Sequence, residues 1–185
     1  MAFNINDIRS QLTYGGAKAS LFQVQIFNPA TGVAEAERKT PFMVKATSLP
    51  ASTLGMIEVP YFGRKVKIAG DRTFEEWSVT VINDEDFLIR NAMEQWSASV
   101  NAHQSNISSY AGPASLQYKS TAIVTQFSKA GEPVREYTFN GIYPTSVAAI
   151  EMAWETVDQI EEFQVTFAYD WWSVTGGLTR NSTTE

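Results

Sequence analysis

The sequence predicts a mainly β domain in which two packed antiparallel sheets form a sandwich or partly closed barrel with one flanking α-helix. Three observations carry this. Several runs alternate apolar and polar residues with the period of two that turns one face of a strand inward. Glycine- and proline-bearing segments separate those runs. One stretch alone has the spacing of an amphipathic helix. At 185 residues the chain fits one domain, able to bury about 70% of its unfolded-chain surface. The expected division is an N-terminal arm over 1–18, a single β domain over 19–172 and a polar C-terminal tail over 173–185.

The arm ends in Tyr14-Gly15-Gly16, a break. In the first strand, Ser20 to Phe27, Phe22, Val24 and Ile26 share one face and Gln23 and Gln25 the other. The polar connection Asn28 to Pro41 reads as an exposed hairpin loop, and Phe42, Val44 and Ala46 start the returning strand. Ser48 to Gly63 follows, punctuated by Pro and Gly and too long for a tight turn. Loops of that length are usually functional or disordered, and its apolar content argues against disorder.

Arg64, Val66 and Ile68 alternate with Lys65, Lys67 and Ala69, a half-buried strand. Gly70-Asp71 signals a turn, after which Trp77, Val79 and Val81 alternate with Ser78, Thr80 and Ile82. Asn83 is a candidate N-cap, with Asp84 to Asp86 filling the first helical turn. The helix runs from Asp84 to Val100, with Leu88, Ala92 and Trp96 four apart and Ile89, Met93 and Val100 beside them. Past the polar loop 101–113, strands Ser120–Ser128 and Val134–Asn140 flank a Gly-Pro turn at 129–133. Gly141 and Pro144 punctuate before Ser146–Glu155, read as a further strand. The last strand, Glu161 to Trp172, places Phe163, Val165, Phe167, Tyr169 and Trp171 on one face.

Composition excludes several functions. A formal charge of −6 argues against a nucleic-acid binder, whose affinity comes from cations neutralising phosphates. With no cysteine there is no disulfide and no thiolate metal site. No apolar run approaches the roughly 20 residues of a membrane span, and MAFNINDIRSQL lacks the basic start and apolar core of a secretory signal. The aromatic share, 12%, suits a core and equally suits interface anchors.

No reaction emerges from the residues. His103 stands alone in a polar loop without a GxSxG elbow nearby, and a solvated loop residue is the simpler reading. The neighbours Glu75-Glu76 and Glu161-Glu162 point to opposite faces of a strand, so neither pair can flank one substrate. Asp84-Glu85-Asp86 is accounted for by the helix dipole. Calcium-loop and phosphate-cradle motifs are missing. Catalytic, cofactor and metal residues are therefore expected to be none. Asn106-Ile107-Ser108 and Asn181-Ser182-Thr183 match the glycosylation triplet, without weight in the absence of a secretory signal.

The run VPYFGRKVKIAGDRTFEEWSVTVINDEDF, Val59 to Phe87, closely resembles the tail tube proteins of contractile-tailed phages of the T4 type. Lys45 to Ser52 (KATSLPAS), Phe139 to Val147 (FNGIYPTSV) and Ile160 to Trp172 (IEEFQVTFAYDWW) resemble the same family, so the likeness spans about Ser20 to Trp172. The loop 28–41 and the tail past Trp172 look longer than the family's.

The resemblance implies the tube fold shared with type VI secretion tubes, and a non-enzymatic subunit that closes six to a ring and stacks rings into a tube. The tube would belong to the virion, assembled in the host cytoplasm. Its implied partners are itself, a surrounding sheath protein, a tape-measure protein, and baseplate and tail-terminator proteins, with DNA passing through the lumen, no cofactor and no membrane anchor. Six copies give a ring about −36, a field that lets a genome slide and does not grip it, although solubility alone explains the acidity as well.

Given that assembly, the apolar segment 48–63 becomes a contact between rings. Leu49, Leu54, Met56, Ile57, Tyr61, Phe62, Arg64, Asp71 and Arg72 are the expected inter-subunit contacts. Arg72 can grip a neighbour's carboxylate with its fork or simply serve a local turn. Two rival readings stand beside this one. A secretion or injection tube would carry protein cargo, and neighbouring genes would distinguish it. A ligand barrel would be monomeric, with a deep apolar pocket.

Overall fold

A computed structural model describes residues 5–12, 16–30, 34–110 and 116–176. It holds nine strands and three helices, in the order α1 (Ile5–Gln11), β1 (Phe22–Ile26), α2 (Ala34–Met43), β2 (Val44–Thr47), β3 (Ser52–Tyr61), β4 (Arg64–Phe74), β5 (Trp77–Ile82), α3 (Leu88–Val100), β6 (Ser120–Phe127), β7 (Pro133–Val147), β8 (Glu162–Ala168) and β9 (Trp171–Gly176). Every strand pairing is antiparallel.

The scaffold is one continuous ladder, β1-β6-β7-β8-β5-β2, with β9 added to β7. Strand β7 belongs to both halves. Its first part pairs with β6 and β9, and Tyr143–Val147 pairs with β8. The halves fold face to face over a single core. Val24, Val124, Phe139 and Val174 enter it from one side, and Val79, Val81, Phe163, Val165 and Phe167 from the other. The Trp77 ring stacks on Phe139 across the sandwich at 4.3 Å between centroids, and its Nε1 donates to the Ser48 carbonyl at 3.0 Å. The ladder does not close, since β1 and β2 end it without pairing to each other. The architecture is therefore the expected two-sheet sandwich, not a closed barrel.

Three helices take the place of the one expected. Helix α3 buries Ile89, Ala92, Met93 and Trp96, the predicted stripe. It starts at Leu88 instead of Asp84, because Phe87 takes a left-handed conformation at φ 52°. Asp86 Oδ1 accepts from the Leu88 amide, so the acidic run does serve the helix start. Asn83 is not the N-cap. It is buried, with its side-chain amide donating to Glu161 and its backbone N–H to the Glu161 carbonyl.

Helix α2 replaces the hairpin loop expected over 28–41 and takes in Phe42 and Met43 of the returning strand. Its Ala-Glu-Ala-Glu-Arg-Lys start is made of strong helix formers. Buried Ala36 packs with Ala92 of α3, and Asn28 ties the region by donating Nδ2 to the Ala92 carbonyl and its backbone N–H to Glu37. The helix lies against β1, on the side where the ladder stays open. The returning strand survives as β2, on β5 and not on β1.

Toward the C-terminus, β7 continues through Gly141 and Pro144, so the strand expected at 146–155 is largely irregular chain over 148–161. The final strand is two: β8 ends at Ala168, and β9 takes in Ser173 to Gly176, residues expected in the polar tail. Phe163, Val165 and Phe167 are buried as expected, whereas Trp171 is exposed. Helix α1 lies within the arm. Tyr14-Gly15 and positions 177–185, with the second glycosylation triplet, lie outside the described residues.

Candidate functional site

Strands β3 and β4 form a separate two-stranded sheet, a ribbon that corrects two expectations. Segment 48–63 is not an aperiodic loop, and Gly70-Asp71 is not a turn. Tyr61 pairs with Arg64, and the chain reverses at Phe62-Gly63 with φ of 42° and 80°. Two successive positive φ values mark a type I′ hairpin turn, the kind whose twist matches its strands. Glycine at 63 meets that demand without strain, while Phe62 adopts it at the tip, 91% exposed.

Register assigns the faces. Ile57 stands opposite Ile68 and Val59 opposite Val66, with Tyr61 and Arg64 at the end of the same face. The other face carries Met56 with Ala69, Glu58 with Lys67 and Pro60 with Lys65, and Lys65 is ion-paired to Glu58 at 2.5 Å. The ribbon is thus amphipathic, but its apolar face covers nothing. Strand β4 is exposed, not half-buried, and Ile57, Val59, Val66 and Ile68 are all large hydrophobics left open to solvent.

Gly70-Asp71 instead forms a bulge opposite Gly55, where the register shifts between Leu54 and Met56. A Cβ on Gly70 would come within 3.1 Å of the Gly55 carbonyl carbon, so the two glycines let the strands close there. Arg72 lies across from Leu54 and donates Nη1 to Ser52 Oγ at 2.9 Å, a bond within the ribbon. The root is anchored by Trp77 on Ser48, by Phe74 against Tyr169 at 5.7 Å, and by the Tyr169 hydroxyl on the Ala51 carbonyl. Burial raises the Tyr169 pKa, and Glu75 adds to the rise.

Eight of the nine expected contact residues therefore lie on this one hairpin, and Leu49 is exposed just before it. Val59, Val66 and Ile68, on the same hairpin, are not among the expected contacts. Alternation at 57, 59 and 61 was the available signal, masked by apolar Met56 and Pro60 on the opposite face. A second exposed apolar group was not anticipated. Met152, Trp154, Val157 and Ile160 stand open on the segment between β7 and β8.

Elsewhere, ion pairs join separate parts of the chain. Lys39 bridges Asp84 and Asp86. Its hydrogen bonds, first to Asp84 and then to Asp86, raise the lysine pKa, and the same bonds hold both carboxyls below the usual range. Lys119 is raised by its bond to Asp170. His103 is exposed and borders a surface hollow of about 490 Å³ whose lining includes Ser97 and Tyr143 but no carboxylate, so the hollow offers no Ser-His-Asp arrangement. Among the described residues no three His, Asp or Glu side chains gather as metal ligands, and no helix is long and apolar enough to cross a membrane.

The phage tail tube protein family model matches residues 17–175. The tail tube protein gp19 of Enterobacteria phage T4 is 37% identical over 157 residues, covering 84% of this chain and 90% of that protein. A tail tube protein of Serratia phage KSP90 is 26% identical over 168 residues, covering 89% and 93%. Among solved structures, a chain of the anti-feeding prophage tube-terminating cap superimposes with a TM-score of 0.61 at 19% identity, covering 96% of this chain and all of that one. A chain from the sheath-tube complex of an extracellular contractile injection system gives 0.56 at 14%, covering 95% and 99%. At those identities the likeness is one of fold.

Proposed function

Because this chain belongs to the phage tail tube protein family, we propose that it is a non-enzymatic inner-tube subunit of a contractile tail, closing six to a ring and stacking rings into a tube that conducts the genome. The observation that carries the assembly reading is the β3–β4 ribbon. A folded subunit seldom leaves a regular apolar face this large uncovered unless another chain covers it. A head-to-tail interface whose rotation closes yields rings and not open fibres.

In this reading the ribbon and Leu49 supply contacts between stacked rings. The chain is a virion component that meets a sheath outside, a tape-measure protein and then DNA inside, and baseplate and terminator proteins at the ends. Phage cargo is favoured over protein cargo because the closer sequence relatives are phage proteins, at 37% identity against 14–19% for the injection-system chains. Electron microscopy of the purified protein across a concentration series tests the assembly. Hollow rings or tubes, formed without metal or cofactor, are the expected result. A monodisperse monomer at every concentration, or assembly abolished by a chelator, would sink it.

A further inference from the structure

The face that receives the ribbon can also be named. The chain from Glu151 to Gln159 and on through Ile160 is exposed at every position. Both of its ends are tied down. The Ala148 carbonyl accepts from Arg90 and its N–H donates to the Gln164 carbonyl, while Glu161 holds Asn83. Between those anchors Met152, Trp154, Val157 and Ile160 are uncovered, and Trp154 is fully exposed. Single exposed hydrophobics are ordinary, but four within nine residues of chain, one of them a bare tryptophan, are the composition expected of an interaction surface.

Charge selects the occupant. The segment carries Glu151, Glu155 and Asp158 and no cation, and none of the three has a cationic partner among the described residues. The ribbon is the opposite case. It bears four cations against two carboxylates from Ser52 to Phe74, and Arg64 and Lys67 have no carboxylate partner among the described residues. Arg64 stands at the end of the apolar face itself, opposite Tyr61.

We propose that the 151–160 segment of one subunit is the seat for the β3–β4 ribbon of a second copy. The Ile57/Ile68 and Val59/Val66 face covers Trp154 and its apolar neighbours, and Arg64 pairs with the acidic residues beside them. Each surface supplies what the other lacks, apolar area for apolar area and unpaired cation for unpaired carboxylate. The arrangement is head-to-tail, since the two surfaces belong to different parts of the chain, and in this reading its rotation does not close, so that it runs from ring to ring along the tube.

This rests on the tube-assembly reading, and the experiment separates the two. The chain has no cysteine, so single-cysteine variants give a clean background. Val59→Cys and Trp154→Cys chains are mixed in equal amounts, assembled and treated with a short bismaleimide. The expected product is a heterodimer of the two variants, dominant over both homodimers and absent at concentrations below assembly. If Trp154→Cys prevents assembly, Asp158→Cys replaces it. Tubes that form normally yet give only homodimers or no crosslink overturn the seat while leaving the tube reading intact. Wild-type protein that never forms tubes overturns both. As a second measure, Arg64→Glu should abolish pelleting of tubes, and joint reversal of Glu155 and Asp158 to Arg should restore it. Failure of that restoration, in chains that fold by circular dichroism, also counts against the pairing.

Discussion

Replacing both members of the Ile57–Ile68 pair by serine probes the ribbon directly. The two side chains face each other across β3 and β4 and remain 55% and 51% exposed in the subunit. Full burial of an isoleucine is worth about 1.5–3 kcal/mol, so covering the exposed half of each contributes about 1 kcal/mol, and about 2 kcal/mol for the pair. That is roughly a thirtyfold rise in the concentration needed for assembly. The subunit itself loses little, because the pair belongs to the ribbon and not to the core. A cross-strand pair of this kind contributes about 0.2–1 kcal/mol, a melting shift of no more than about 4 °C at this chain length. The assay is pelleting of tubes across a concentration series, run beside thermal unfolding of dilute subunit. An unchanged critical concentration, or a melting loss as large as the assembly loss, would refute the assignment of this face to an interface.

Four further outcomes follow from the same geometry. Tyr61→Ser with Phe62→Ser should leave normal circular dichroism but impair stacking, because both rings lie at the exposed tip; normal polymerisation would remove the tip from the contact. Arg72→Ala should weaken assembly well beyond its effect on melting if the guanidinium reaches a neighbour's carboxylate, with poor rescue by Lys, which lacks the fork; equal losses, or full rescue, would confine it to its Ser52 bond. Trp77→Phe should keep the stack on Phe139 but lose the bond to Ser48, costing about 1 kcal/mol, whereas Trp77→Ala should cost about 3–5 kcal/mol, both read from urea midpoints. The Lys39 bridge has a pH signature. Asp84 and Asp86 are held below their ordinary range, so the stability they add is complete above about pH 4 and is lost as pH falls through their lowered values. Lys39, held above its ordinary value, adds stability that is present below about pH 10.5 and lost as pH rises through its raised value. Lys39→Met should therefore flatten both limbs of a stability profile, and identical profiles for mutant and wild type would remove the bridge from the account.

How far the fold could be read in the residues depended on how clean each pattern was. Strand β5 and the buried part of β8 alternate without interruption, and their inward residues were legible as core. Helix α3 showed its stripe for the same reason, although its first turn did not, because the acidic run 84–86 precedes the helix and bonds to it from outside. Helix α2 has no apolar stripe and contains Pro41, so its polar residues looked like loop; small buried alanines against α3 are a weak sequence signal. The bend of β7 hid behind Gly141 and Pro144, residues that ordinarily end a strand. In the ribbon, Gly55, Met56 and Pro60 obscured β3, and the bulge at Gly70-Asp71 imitated a turn. The proposed contact residues could still be picked out, because aromatics at 61 and 62 beside Arg64 needed no register to attract notice. The segment 151–160 could not be found, because only folding reveals that its tryptophan covers nothing.

The shared strand β7 sets an order of events during synthesis. β1 pairs with β6 about a hundred residues downstream, as in Phe22 with Gln126, and β5 pairs with β8, as in Trp77 with Phe167. The half with β1 waits for β6 and β7, and the half with β5 waits for β8. The ribbon depends on nothing so distant, since its strands adjoin in the chain and its turn is local. At about 5–20 residues per second, the apolar side chains of the ribbon are outside the ribosome for roughly 5–20 seconds before the last strands of their own subunit are made. On the opposite face the Glu58–Lys65 pair and Lys67 place charge where a second apolar face would otherwise stack, the kind of residue that discourages such association.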